Sequence, residues 1–177
     1  TVSTTGADFA GMIDGDELTV SSTGVFSDKN VAAGKTVTLT NTLGGADLAN
    51  YSITDQGTTT ADITAKAVTL SGITASNKIY DATTDATVST VGATFTGMIG
   101  GDELTVSSTG VFSDKNVASG KTVTLTNTLG GADLANYTIT DQGTTTANIT
   151  AKAVTLSGIT ASNKVYDQTT DATVSTA

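Results

Sequence analysis

The chain has 177 residues, with 17 acidic and eight basic side chains, a formal net charge of −9, and no Cys, His, Trp or Pro. Without Cys there is no disulfide or thiolate metal site, and without His the commonest general base and transition-metal ligand are both missing. The basic residues are lysines scattered singly, which leaves no patch for nucleic acid or an anionic membrane. No apolar run approaches the roughly 18–20 residues of a membrane span.

From the N-terminus onward the pattern is alternation with period two, which sends one face inward and the other to water. Leu18-Thr19-Val20 opens it. Lys35-Thr36-Val37-Thr38-Leu39-Thr40 directs Val37 and Leu39 to a core, and Ala61-Asp62-Ile63-Thr64 does the same with Ala61 and Ile63. Val68-Thr69-Leu70 continues the pattern. β-Branched Thr suits the solvated face of a pleated sheet, so its abundance needs no further role. Gly34, Gly44-Gly45, Gly57 and Gly100-Gly101 punctuate the segments as turns. In the middle of the chain strands are expected near 66–73, 77–80, 85–91, 94–98, 103–112, 121–127, 136–141 and 145–151.

This spacing of short strands predicts an all-β fold, an antiparallel β-sandwich of immunoglobulin-like type. Asp47-Leu48-Ala49-Asn50-Tyr51-Ser52-Ile53 sharpens the expectation. Its spacing resembles the tyrosine corner of immunoglobulin-like domains, and Asp133, Ala135, Tyr137 and Ile139 repeat it. A corner of this kind buries the ring and returns its hydroxyl to the loop before it.

The second half of the chain rewrites the first. ITASNKIYDATTDATVST starts at Ile73 and ITASNKVYDQTTDATVST at Ile159, an offset of 86 residues (159 − 73). Thr1 and Thr87 share that offset, and nine of the 86 paired positions differ. Ser52/Thr138 and Asp62/Asn148 fall on outward positions, and Asp14/Gly100, Ala33/Ser119 and Ala82/Gln168 in expected turns. Ile79/Val165 is a small volume change that a core tolerates. Thr5/Val91, Asp8/Thr94 and Ala10/Thr96 cluster around Phe9 and Phe95 in an edge-like strand. A period of about 86 residues exceeds one coil of a solenoid and matches a small domain with its own core. Repetition this faithful points to a part used in series, tandem sandwiches placed end to end.

Asn77-Lys78-Ile79-Tyr80-Asp81, Asn163-Lys164-Val165-Tyr166-Asp167, the Gly-Asp-Glu-Leu turns, Val-Phe-Ser-Asp-Lys-Asn-Val and Gly-Ala-Asp-Leu-Ala-Asn-Tyr together resemble the YDG repeat of large bacterial adhesins and filamentous-haemagglutinin-like surface proteins. The resemblance covers essentially the whole chain. It departs after Tyr-Asp, where the family's glycine is Ala82 and, in the copy, Gln168, which argues against a positive-φ turn there. The resemblance implies β-rich modules that extend an adhesin from a cell or build a biofilm matrix fibre. The acidic, Thr-rich, disulfide-free composition likewise suits an exported protein of the bacterial surface or extracellular space. The family frame divides the chain into an incomplete repeat at 1–66, lacking its opening strands, a complete repeat at 67–152, and the opening strands of a further one at 153–177. The expected function is a non-enzymatic, semi-rigid stalk or spacer. Its partners are adjacent repeats, joined covalently or head to tail by strand addition, and the alternative is a module binding a glycan or host protein through Ser27-Asp28-Lys29-Asn30 and Thr42-Leu43-Gly44-Gly45.

Few side chains suggest chemistry. Asp14, Asp16 and Glu17 share a turn, with Asp102 and Glu103 in the copy; these are the calcium candidates, set against solvated turn acids that keep strand edges apart. Asp81 with Asp85, and Asp167 with Asp171, form a second acidic pair. No cofactor is expected. Lys78 and Lys164 could close an isopeptide bond, though a packed stem with a solvated ammonium is the plainer reading. Asn50, Asn136 and Asn148 head glycosylation-type triplets. Structural weight is assigned to Tyr51, Tyr137, Asp47, Asp133, Tyr80 and Tyr166, and to the cores around Val37, Leu39, Ile53 and Ile63.

Overall fold

The structure, a computed structural model, describes residues 1–175, and apart from two single 3-10 turns its regular elements are strands. β1 (Thr19–Phe26), β2 (Ala32–Gly44) and β3 (Thr58–Ile63) form a three-stranded antiparallel sheet. Two residues later the chain enters β4 (Lys66–Ser71), followed by the short strands β5 (Thr74–Ala75), β6 (Lys78–Ile79), β7 (Asp85–Ala86), β8 (Val88–Ser89) and β9 (Thr94–Thr96). The long hairpin of β10 (Thr105–Phe112) and β11 (Ala118–Gly130) comes next, then β12 (Tyr137–Thr140) and β13 (Thr144–Thr150). β14 (Thr160–Ala161) and β15 (Val174–Ser175) pair with each other in the tail.

The middle of the chain is β-sandwich-like. One sheet runs β6-β13-β11-β10-β7, and facing it are β12-β4-β9 and the ribbon β5-β8. Leu70 and Ile73 meet Phe112, Val123, Leu125, Ala147 and Ile149 in the core between them. The period-two expectation holds where it matters: Val123 and Ile149, the copies of Val37 and Ile63, are fully buried. The sheets are not purely antiparallel as expected, because β12 pairs with β4, and β13 with β6, in parallel. Both pairings join strands with long intervening connections, which a parallel partner requires.

The two long hairpins share one register. Thr19 faces Gly44 in the first and Thr105 faces Gly130 in the second, and both second strands break register before their lysine, at Ala32/Lys35 and at Ala118/Lys121. The break extends β11 to Ala118, beyond the expected start at 121. Just after the break, Lys35 and Lys121 stand on the inward face of their strands, and both are buried. Lys35 shares the parity of Val37 and Leu39, and Lys121 that of Val123 and Leu125, so period two sets each lysine on the inward face.

Identical sequence does not give identical packing. Leu39 and Phe26 are half-buried, whereas their copies Leu125 and Phe112 are buried. Tyr51–Thr54 forms no strand, whereas Tyr137–Thr140 is β12. In the tail Val154 and Leu156 are exposed, although Val68 and Leu70 are buried. Ile79 and Val165 are also exposed, so their exchange is tolerated by solvent rather than by a core. Tyr80 packs against the core, but Tyr166 is exposed, with no counterpart of β13 beside it.

The glycine missing after Tyr-Asp does not remove the turn. Ala82 has φ 68° and Gln168 φ 63°, so the positive-φ conformation is kept by residues that adopt it at a strain. The turn is held elsewhere. Thr83 N and Oγ1 both donate to Asp81 Oδ1, and Lys78 Nζ donates to Thr83 O, Thr83 Oγ1 and Asp85 O.

Candidate functional site

The most built feature is the slot that receives β4. Its parallel neighbour β12 sets Tyr137 opposite Lys66 and Ile139 opposite Val68; its antiparallel neighbour β9 sets Phe95 opposite Leu70. A strand so placed satisfies its backbone on both edges, and alternate side chains, Val68 and Leu70, point into the core. The slot then closes on Ile73, whose N–H donates to Gln142 Oε1 at 2.9 Å and whose carbonyl accepts from Gln142 Nε2 at 2.8 Å. Gln142 is placed by Asn127, whose amide donates to Asp141 Oδ1 and to the Gln142 carbonyl. Beyond Leu70 the chain turns at Gly72, which lies against the Gly92 carbonyl with φ +88°.

The slot's floor is fixed by the tyrosine network. Tyr137 Oη donates to Asp102 Oδ2 at 2.7 Å and accepts from Ile99 N at 3.0 Å. The hydroxyl therefore ties to the loop between β9 and β10, about 35 residues upstream in sequence, and not to the loop immediately before it as a tyrosine corner would. Asp133 caps that same loop by accepting from Glu103 N at 2.9 Å. Tyr51, Asp16, Asp47 and Glu17 repeat the arrangement. The hydrogen bond to the neighbouring carboxylate raises both tyrosine pKa values above 10.0.

That use of Asp16 and Asp102 redirects the calcium reading. Asp102 and Asp16 bond to tyrosine hydroxyls, Glu17 and Glu103 enter the network through their backbone N–H and carbonyl groups, and among the described residues no three acids converge as metal ligands. Lys78 and Lys164 form ion pairs with Asp81 and Asp167 at 2.9 Å. Lys78 also stands 5.5 Å from the Phe112 ring centroid, at cation–π distance. Asn148 Oδ1 accepts from Gly120 N, as Asp62 Oδ1 accepts from Gly34 N, each at 2.7 Å. Only an acceptor oxygen is needed there, which explains why Asp and Asn exchange.

A second contact joins the two halves beside the slot. Val31 N donates to Asn136 Oδ1 at 2.9 Å, and Lys29 Nζ lies 3.6 Å from Asp102 and 3.8 Å from Asp133. The ammonium is exposed, so the pairs add little stability and serve mainly to orient. Two expected binding loops are thereby altered. Asp28 to Asn30 serves this joint and the Lys35 ammonium, while Thr42 to Gly44 lies inside β2, paired with Thr19 to Ser21.

The buried lysines carry a pH consequence. Lys121 Nζ sits 2.7 Å from Asp114, and Lys35 pairs with Asp28 in the same way. Each lysine hydrogen bond, assisted by a backbone N–H, holds its aspartate below 3.8, and Lys78 with the Thr83 backbone takes Asp81 to about 2. A carboxyl depressed in the folded state contributes stability above its unfolded pKa and loses it as pH falls through the folded value. The melting temperature is expected to hold down to about pH 4 and to fall between about pH 4 and 2. Asp114→Asn should flatten part of that fall in thermal melts, and a melting temperature constant to pH 2 would contradict the assignment.

Of the residues given structural weight from sequence, Tyr51, Tyr137, Asp47 and Asp133 do meet in these networks, and Tyr80 borders the core. Gln142, Asn127 and Lys121 were not singled out, and Asn136 was noted only as the head of a glycosylation-type triplet. Gln142 and Asn136 are polar residues beside turns, where sequence gives no sign that their partners Ile73 and Val31 lie 69 and 105 positions away; Asn127 and Lys121 lie within β11 and bond to nearby Asp141, Gln142 and Asp114. The profile of the YDG domain family matches residues 1–61 and 64–147, and the chain belongs to that family. No curated protein and no solved structure matches it.

Proposed function

We propose that this YDG domain chain is a non-enzymatic structural repeat, a semi-rigid spacer in a surface adhesin or extracellular matrix fibre of bacterial type. In this reading the repeats are tandem immunoglobulin-like sandwiches framed at 67–152, flanked by parts of neighbours at 1–66 and 153–177. The observation that carries it is the join after β3. Only two residues separate Ile63 from Lys66, and β4 is then bonded on both edges inside the next sandwich-like unit. A linker this short leaves little freedom to rotate, and Lys29, Val31 and Asn136 add lateral contacts across the joint. The acidic surface keeps parallel chains apart, which suits an extended array.

Small-angle scattering on chains of two, four and six repeats tests the proposal. The maximum dimension should grow by a constant increment per repeat. Growth with the square root of repeat number, as for freely jointed beads, or a compact particle would refute it.

A further inference from the structure

β10 is only half covered on the edge away from β11. Gly110 and Val111 pair with Ala86 and Asp85 of β7, and Phe112 N–H donates to Thr84 O. The even-numbered residues of β10 therefore aim their main-chain groups at that edge, and Val106 and Ser108 follow the same alternation. After Ala86 the chain leaves the edge for β8, which pairs with β5 instead. Among the described residues no strand lies against Thr105–Thr109 on that side. A free edge is normally guarded by a charge, a Pro or a bulge. Thr105 to Thr109 carries none of the three.

Beside this edge the sandwich is open. β9, the last strand of the facing sheet, stands across a groove of about 590 Å³ lined by Ala93, Phe95, Met98, Leu104 and Val106 together with threonines. No lining residue is charged. Charge gathers at the two ends instead. Glu103 adjoins Leu104 at one, and Asp85 faces Val111 at the other. Both acids are exposed and, among the described residues, neither is in an ion pair. The lysines at those ends are committed, Lys29 to Asp102 and Asp133 and Lys78 to Asp81. All the walls lie between Thr90 and Val106, so the preceding unit, which is present, lines none of the groove. β13 runs parallel to β10, each being antiparallel to β11, so the chain leaves this unit at the Phe112 pole, away from the groove. The groove owes nothing to residues outside its own unit.

We propose that this edge and groove bind an extended, basic segment of another protein by strand addition. The added strand lies antiparallel to β10, in line with β7. Its residues opposite Val106 and Ser108 exchange main-chain bonds with them. Sharing their face, those residues send two alternate apolar side chains into the groove. Lysine or arginine at the ends of the segment meets Glu103 and Asp85. A second copy of this chain is the poorer occupant, because two chains of net charge −9 repel. Such binding adds adhesion to the spacer reading without depending on it.

Fluorescence anisotropy of a labelled Lys-Thr-Val-Thr-Val-Thr-Lys amide, titrated with the 177-residue chain, tests this. Binding should saturate, and exchanging both lysines for glutamate should weaken it about tenfold or more. Methylating the two valine nitrogens should abolish binding. Methylating the last two threonine nitrogens, which face away from β10, should leave it in place. Ser108→Pro removes only an N–H that faces the open edge. Met98→Lys alters a side chain of the groove that is 37 % exposed. Each variant should keep the wild-type melting profile and weaken binding about tenfold or more. If proline lowers the melting temperature, Met98→Lys and the methylated peptides decide. Absence of saturable binding overturns the proposal, as does binding that is indifferent to which nitrogens are methylated or that survives both substitutions. Self-association of the wild type that Ser108→Pro abolishes, without peptide binding, would assign the edge to a second copy and equally overturn it. None of these results bears on the growth per repeat measured by scattering.

Discussion

Leu70→Ala is expected to destabilise the middle unit by about 2–5 kcal/mol, and Leu156→Ala to change its stability by no more than about 0.5 kcal/mol. The two leucines have the same neighbours in sequence for many residues on either side. Leu70 lies in the core against Phe112, Val123 and Ile149, whereas Leu156 is exposed. Truncating the first removes apolar burial and leaves a cavity that flanking strands, bonded on both sides, cannot collapse. Truncating the second removes a side chain already in water. Native-state hydrogen exchange at the amides of β11 and β13, at a concentration where the chain is monomeric, gives both values. Equal losses would mean that the tail is packed like its copy and would overturn the assignment of β4 as the seated strand.

Gly72→Ala should be nearly as severe. A Cβ at Gly72 would stand 2.1 Å from the Gly92 carbonyl oxygen, on a residue with φ +88°. The left-handed conformation costs about 1–2 kcal/mol for an L-residue, and forcing two backbone segments apart adds about 1–3 kcal/mol. Gly158 has nearly the same φ, yet nothing lies within 4 Å of its Cβ position. Gly158→Ala should therefore strain only the tail and leave the core's unfolding unchanged in urea titration. If Gly72→Ala unfolded no more easily than Gly158→Ala, the close approach of β4's exit to the loop before β9 would be wrong.

These paired residues show what sequence can and cannot reveal. Alternation of Thr with Val, Leu and Ile made the strands legible, because a pleated strand with one wet face leaves that signature in any context. The inward set at Val37, Ile63, Val68 and Leu70 was legible for the same reason. What alternation does not encode is which strand covers which face. Val68 and Val154 look alike in sequence, and only tertiary pairing buries one and leaves the other in water. The parallel pairing of β12 with β4 was hidden too, since period two is the same for both orientations. Tyr137 was identifiable as an anchor from its motif, but its hydroxyl's partner depends on a loop far upstream. The register break just before Lys121 was hidden, because a bulge has no strong signature when its residues are Ala, Ser and Gly.

The parallel orientation of β4 and β12 has a mechanical side. A pull on Lys66 directed along β4, away from Ser71, would slide the strand lengthwise against Tyr137–Thr140 rather than peel it away. Hydrogen bonds loaded lengthwise must yield together, whereas bonds opened from one end yield in turn. The ladder to β9 on the other edge is loaded in the same sense. The pairing of β4 with its neighbours is thus arranged in shear, and its resistance to tension should exceed what so short a strand would give if it were unzipped.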